Sequence, residues 1–258
     1  MEERKKTEID YYNKKGEELL AQGQDGKEDF EGFDPFIMSS YKFLQEYLKD
    51  KCKDKELLDY GCGNAVHSFW LTKLGAKVTG IDLSEKLLEI ARKQKERTCK
   101  DCNVNFVMMD CEKLEFEDNS FDIIFDGGTF SSLDLNKALP ELSRVLRPSG
   151  FLIGIETFGH NPITNLKREL NKLLGKRTGW AASHIFSLKD IELSKKYFND
   201  VKVYYFHVIS WLAIPFLKIS LFKGVLKFLE SIDKILLKVP FLKRYSFKVV
   251  VVFSNPKK

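Results

Sequence analysis

No stretch of this chain is apolar for the length a membrane span needs, although 43% of its 258 residues are hydrophobic. An integral membrane protein is therefore not expected. Residues 1–10, MEERKKTEID, are crowded with charge, and no secretory signal is expected there. Cysteine is scarce and odd in number, at Cys52, Cys62, Cys99, Cys102 and Cys111. Reduced thiols in a cytoplasmic protein, without a structural disulfide, are the expectation. Cys99-Lys100-Asp101-Cys102 has metal-ligand spacing, but no second pair accompanies it. A zinc site takes four ligands, so no metal is expected. A broad cationic surface is also missing. The net charge of +5 is an average, because Trp211 to Lys258 holds ten Lys or Arg against Glu230 and Asp233. The preceding body is left slightly acidic, which disfavours nucleic acid as a partner.

What is present is a composition suited to one α/β domain with additions. Its organising stretch runs from Glu56 to Lys93. Leu57 and Leu58 lead into Asp59-Tyr60-Gly61-Cys62-Gly63-Asn64, after which Ala65, Phe69, Leu71 and Leu74 recur at helical spacing. The pattern predicts strand, glycine turn, helix. Lys77-Val78-Thr79-Gly80-Ile81 is a second strand ending on Asp82, with Leu83 beside it and Ser84 placed to cap a helix that buries Leu87, Leu88 and Ala91. Glycines at the turn let the backbone bend and approach a ligand, while the first amides of the next helix point at it. A carboxylate at the end of the following strand, about twenty residues on, can accept both hydroxyls of a ribose. A nucleoside cofactor is implied. The dinucleotide fingerprint G-x-G-x-x-G fails here, since Val66 stands at its last glycine.

Asp59-Tyr60-Gly61-Cys62-Gly63-Asn64-Ala65 resembles the first motif of class I S-adenosylmethionine-dependent methyltransferases, acidic-x-Gly-x-Gly-x-Gly, with Ala65 for the third glycine. Val104 to Met108 is a third strand, ending in Met109-Asp110-Cys111. The resemblance implies that Asp110 takes the adenine amino group and the Cys111 amide a ring nitrogen. A fourth strand, Ile123-Ile124-Phe125, ends on Asp126-Gly127-Gly128, where ligands of open parallel sheets bind. Leu133 to Leu146 is expected as a helix, Arg147-Pro148-Ser149-Gly150 as a turn and Phe151 to Glu156 as a fifth strand, apolar throughout. The resemblance covers Glu56 to Glu156. The cofactor set is thus Asp59, Gly61, Cys62, Gly63, Asp82, Leu83, Asp110, Cys111, Asp126 and Gly127, holding S-adenosyl-L-methionine and releasing S-adenosyl-L-homocysteine. Two helices, Thr7 to Leu20 and Pro35 to Leu48, precede the first strand. In the resembled family such a segment closes over the cofactor, making Tyr11, Tyr12 and Phe33 candidates to line the substrate site, against plain packing on the body.

Beyond Glu156, His160 and His184 are the candidates to accept a proton from a substrate hydroxyl. His207, inside the apolar strand Val201 to Ile209, reads as structural, and His67 as packing. Ser187 to Phe198 is expected as a helix. Pro215 to Val239 reads as one amphipathic helix whose narrow polar arc is dominated by lysine. Leaving its large apolar side chains in water forgoes roughly 1.5–3 kcal/mol each. Three covers are open: the protein's own body as a lid, a second copy in a homodimer, or a membrane interface with lysines snorkelling to anionic lipid. Ser246 to Phe253 completes seven strands.

The expectation is a Rossmann-like, doubly wound α/β sheet of seven strands, mostly parallel with an antiparallel last strand. Residues 1–50 form an N-terminal helical cap, and 51–258 a methyltransferase domain with a helical insertion at 211–240. The reaction implied is in-line attack on a sulfonium methyl by a small, hydrophobic or lipid-like acceptor, aided by alignment. The fourth strand lacks the Asn/Asp-Pro-Pro-aromatic signature of nucleic-acid amino methylation. A nicotinamide oxidoreductase and a non-catalytic cofactor-binding scaffold at a membrane are the alternatives.

Overall fold

The computed structural model describes residues 2–23, 38–174, 178–217 and 219–258. Phe33, the expected helix start at Pro35 and Lys218 lie outside the described residues. Seven strands form one sheet: β1 (Glu56–Tyr60), β2 (Lys77–Asp82), β3 (Val104–Met108), β4 (Phe121–Asp126), β5 (Leu146–Thr157), β6 (Phe198–Phe206) and β7 (Lys248–Pro256), in the order β3-β2-β1-β4-β5-β7-β6. Strands β1 to β5 are parallel where they pair, and β7 runs antiparallel between β5 and β6, as the sequence led us to expect.

Neighbouring residues of the central strands go to opposite faces, as period-two geometry requires. Leu58, Ile124, Leu152 and Val251 pack on one side, Leu57, Ile123, Ile153 and Val252 on the other. The described helices are α1 (Glu3–Ala21), α2 (Ser39–Leu48), α3 (Val66–Lys73), α4 (Glu85–Thr98), α5 (Leu135–Val145), α6 (Pro162–Leu173), α7 (Gly179–Ser183), α8 (Leu188–Ser194), α9 (Phe222–Leu236) and α10 (Pro240–Lys243). Ser84 caps α4 as expected, its hydroxyl accepting from the Leu87 amide at 3.3 Å.

Five expectations need correction. The strand read over Val201 to Ile209 is β6 and ends at Phe206, so His207 lies beyond it, at φ +62°. The helix read over Ser187 to Phe198 stops at Ser194, because Phe198 already opens β6. Arg147 to Gly150 is not a free turn: β5 begins at Leu146, which pairs with Phe121, and a register shift between Phe121 and Ile123 absorbs the extra residues as a bulge. The segment 215–239 is not one helix. A 3-10 turn spans Ser210–Phe216, with Pro215 inside it, before α9 begins. Finally, Cys99 and Cys102 form a disulfide rather than two thiols. Helix α4 ends at Thr98, and the turn that follows brings the two Cα atoms to 5.3 Å, within bridging range.

Candidate functional site

The parallel strands all end at one edge of the sheet, and the glycine turn leaves β1 there. Gly61, Gly63 and Ala65 have φ of +69°, +54° and +67°. At Gly61 this freedom is obligatory, since a Cβ would lie 2.3 Å from the Thr129 hydroxyl oxygen. That hydroxyl donates to the Tyr60 carbonyl at 3.0 Å, tying the turn to the loop after β4. At Gly63 a Cβ would meet only the Leu87 side chain, at 3.8 Å.

Asp82 closes the arrangement. Its carboxylate accepts from the Gly63 amide at 2.9 Å and the Ser84 amide at 2.8 Å, one through each oxygen. Burial raises this carboxyl above its ordinary range, while those amides and that of Leu83 pull it down. The carboxylate's remaining lone-pair capacity is an acceptor for ribose hydroxyls.

Gly61, Gly63, Asp82, Leu83, Asp110, Cys111 and Gly127 line one cavity of about 230 Å³, so seven residues singled out from sequence come together. The other three lie beneath it. Asp59 is fully buried under the turn, accepts from the Ser68 hydroxyl at 2.5 Å, and is pushed up to about 7 by burial, with Asp82 adding to the rise. Cys62 is a buried, neutral thiol. Asp126 is raised well above the carboxylate range by burial and by Glu156, with which it shares a hydrogen bond. Its carboxylate accepts from the Thr129 amide at 2.9 Å, and that of Glu156 accepts from the Phe130 amide at 2.8 Å. This buried pair holds the loop after β4 from below.

Helix α1 roofs the cavity with Arg4, Lys5, Glu8, Ile9 and Tyr12. Tyr12 lines this cavity rather than the second one, that of His160 and His184, whereas Tyr11 packs edge-on against Tyr12 and lines neither. Lys5 reaches Asp110 at 2.6 Å and Glu112 at 2.9 Å. Arg4 reaches Glu112 at 2.5 Å and the Ser132 carbonyl at 2.9 Å. Asn13 accepts from the Ser84 hydroxyl at 2.8 Å. Sequence reasoning missed Arg4, Lys5, Glu112 and Thr129. The only local signal was the density of charge at the start of the chain.

His160 and His184 line a second cavity, of about 760 Å³, which shares Leu133 with the first. Phe130, Ile185, Phe186 and Leu193 give it apolar patches, while Asp134, Asn165, Glu169, Lys189 and Asp190 make much of the remaining lining polar. The His160 Nε2 accepts from the Leu188 amide at 3.2 Å, so that lone pair is engaged. Burial and the nearby Arg244 lower its pKa, which keeps the ring neutral. His184 stacks on Trp180 at 3.5 Å, its Nδ1 facing the Trp180 carbonyl. His67 and His207 are buried, as expected of packing residues, and both are lowered to about 3 by burial.

Residues 58–154 match the model of a family described as a methyltransferase domain. Over 109 residues the chain is 40% identical to demethylmenaquinone methyltransferase of Staphylococcus aureus (strain JH9), a stretch covering 41% of this chain and 44% of that protein. The chain thus spans less than half the length of the curated relatives it matches. The PH0226 protein of Pyrococcus horikoshii OT3 superposes with a TM-score of 0.57 over 93% of this chain and 99% of its own, at 22% identity. Geranyl diphosphate C-methyltransferase of Streptomyces coelicolor A3(2), solved with S-adenosyl-L-homocysteine, superposes at 0.57 over 83% and 77%, at 15% identity. These two likenesses concern the fold. A glycine turn and Asp82 on one cavity, a seven-stranded sheet with its antiparallel β7, and the match over 58–154 agree: residues 58–154 of this chain are similar to a methyltransferase domain, set in a fold that solved methyltransferases share.

Proposed function

We propose that the protein transfers a methyl group from S-adenosyl-L-methionine to a small, apolar acceptor, leaving S-adenosyl-L-homocysteine. The observation that carries the reading is the 2.9 Å bond between the Gly63 amide and Asp82, which aims the turn and the carboxylate at one ligand. The group bound there supplies an electrophilic methyl on a sulfonium. This chain supplies the rest: Asp82 takes the ribose hydroxyls with its spare lone pairs, Leu83 packs beside them, and Gly61 and Gly127 line the floor with backbone, their Cβ directions closed by Thr129 and His67. Asp110 meets an adenine amino group once Lys5 shares or yields its carboxylate, with the Cys111 amide next to it.

The second cavity receives the acceptor. Its apolar patch of Phe130, Ile185, Phe186 and Leu193 suits an aromatic or isoprenoid body, its polar lining suits that body's oxygens, and the S. aureus relative is named for a quinone substrate of that character. His160 becomes a base for an acceptor hydroxyl after giving up its bond from the Leu188 amide. Most of the acceleration then comes from holding acceptor and methyl in line.

Calorimetry with S-adenosylmethionine and with NADH, followed by an S-adenosylhomocysteine release assay across apolar phenols and quinols, tests the reading. Saturable binding of the first ligand alone and turnover with an apolar acceptor are expected. Binding of NADH instead, or turnover only with charged acceptors, sinks it.

A further inference from the structure

The insertion between β6 and β7 leaves the sheet at the C-terminal end of β6. That strand is parallel to β5, so the insertion stands on the same edge as the glycine turn. On α9 only Phe222, Leu226 and Asp233 are buried. Leu221, Phe228 and Ile235 recur at seven-residue intervals and so form one stripe. They are 58%, 66% and 66% exposed, far from the covered lid that one reading of the sequence allowed. Phe216, Ile219, Val239 and Phe241, in the segments at either end of α9, are also exposed.

Charge decides what this surface meets. Lys223, Lys227, Lys234 and Lys238 are exposed on the arc beside the apolar stripe. The only two acids of the segment are turned inward. Asp233 is buried and accepts from the Ile209 amide at 2.9 Å and the Ser210 amide at 3.1 Å. Glu230 accepts from the Ser39 amide at 2.8 Å. Spending both carboxylates on the fold leaves an outward face of hydrocarbon and cations without a compensating anion. A second copy of the same face would oppose lysine with lysine. An anionic bilayer surface matches both parts, taking the apolar stripe into its acyl boundary and the ammonium groups among its phosphates.

We propose that this insertion docks the protein on anionic phospholipid membranes through the Leu221–Phe228–Ile235 stripe and its lysine arc, holding the cavity edge of the sheet toward the lipid. The proposal stands independently of the methyl-transfer reading, because it rests on none of the cavity residues.

The test is co-sedimentation of the full chain with phosphatidylcholine vesicles with and without about 30% phosphatidylglycerol. Binding is expected only to the anionic vesicles, falling as salt rises from about 0.1 to about 0.5 M. Each of Lys223→Gln, Lys227→Gln and Lys234→Gln should weaken it roughly fivefold at low salt. The Phe228→Ser/Ile235→Ser variant should lose about tenfold or more. Circular dichroism reports whether each variant is folded, and the surface lysine variants keep the test open should the apolar one not fold. Equal sedimentation with neutral vesicles, no binding at all, or binding indifferent to both sets of changes overturns the proposal. So does a stable dimer, seen by light scattering without lipid, that the same substitutions dissociate, since a second copy would then own the face.

Discussion

Asp59 and Asp82 stand near the ends of neighbouring strands, yet the fold gives them opposite environments. Asp82 faces the cavity and retains free lone pairs, whereas Asp59 is enclosed, with Ser68 as its hydroxyl donor. Asp82→Ala should weaken S-adenosylmethionine binding by about ten- to hundredfold, the scale of hydrogen bonds to a charged group; calorimetry reads it. Asp59 yields a prediction of different sign. A carboxyl raised to about 7 in the folded protein, from 3.8, stays protonated in the native state while it ionises in the unfolded one. Its contribution to stability therefore declines as pH rises from about 4 to about 7. Asp59→Asn keeps the shape without that ionisation. Its melting temperature minus that of the wild type should grow across that window and level off above it. Gly61→Ala places a methyl on the Thr129 side chain at positive φ and should cost about 1–3 kcal/mol in denaturant unfolding.

At the scale of elements, α1 is the roof of the cavity, tied to its rim by ion pairs at the helix start. It packs along α4, where Gly16 meets Lys86, and polar contacts fix it along its length: Glu8 with the Thr178 hydroxyl, Asn13 with Ser84, and Arg4 and Lys5 with Asp110, Glu112 and the Ser132 carbonyl. Glu112 is buried, so removing its cations leaves an uncompensated charge, a cost of about 3–5 kcal/mol. Arg4→Ala/Lys5→Ala should raise amide hydrogen exchange in residues 3–21 by about a hundredfold or more, with the exchange of β1 and β4 unchanged. Uniform acceleration over the whole sheet would show that α1 belongs to the core instead. Because Lys5 sits on the carboxylate assigned to adenine, the same variant separates roof opening from cofactor affinity in stopped-flow binding.

For the molecule as a whole, acid response is a contest between buried groups of two kinds. His67 and His207 are lowered to about 3, so below pH 6.5 the unfolded chain takes up protons that the folded one refuses, and their contribution to stability is lost as pH falls. The buried carboxyls Asp59 and Asp126 push the opposite way. His207 is held between the Ser40 hydroxyl at 2.9 Å and the Ser210 hydroxyl at 2.7 Å, which Asn can partly replace. The stability of His207→Asn relative to wild type should therefore improve as the pH is lowered from about 6.5 to about 5 in thermal melts, up to ~1.4 kcal/mol per pH unit. A parallel shift at all pH values would mean that the histidine is already charged when folded.

Much of this was open to reading from residue order because it is local. Strand, glycine turn and Asp82 follow from alternation, from residues that tolerate positive φ and from the length of one β-α-β unit. Seven strands and the antiparallel β7 were legible for the same reason, helped by family resemblance. The register of β5 was not, because a bulge is set by the partner strand. The inward turn of Glu230 and Asp233 could not be read either, since their partners, Ser39, Ile209 and Ser210, lie in other elements. Nor could the disulfide, which depends on how the turn after α4 folds back.

The sequence by itself determined the sheet, the nucleoside-binding turn and the carboxylate opposite it, because backbone conformation and hydrophobic period are carried by neighbouring residues. Only the tertiary structure decided which acids face the ligand and which are buried beneath it, that Arg4 and Lys5 roof the cavity, and that the insertion presents hydrocarbon and lysine outward. Burial and ion pairing join residues more than a hundred positions apart, as Lys5 and Asp110 are, and no local pattern encodes such a meeting.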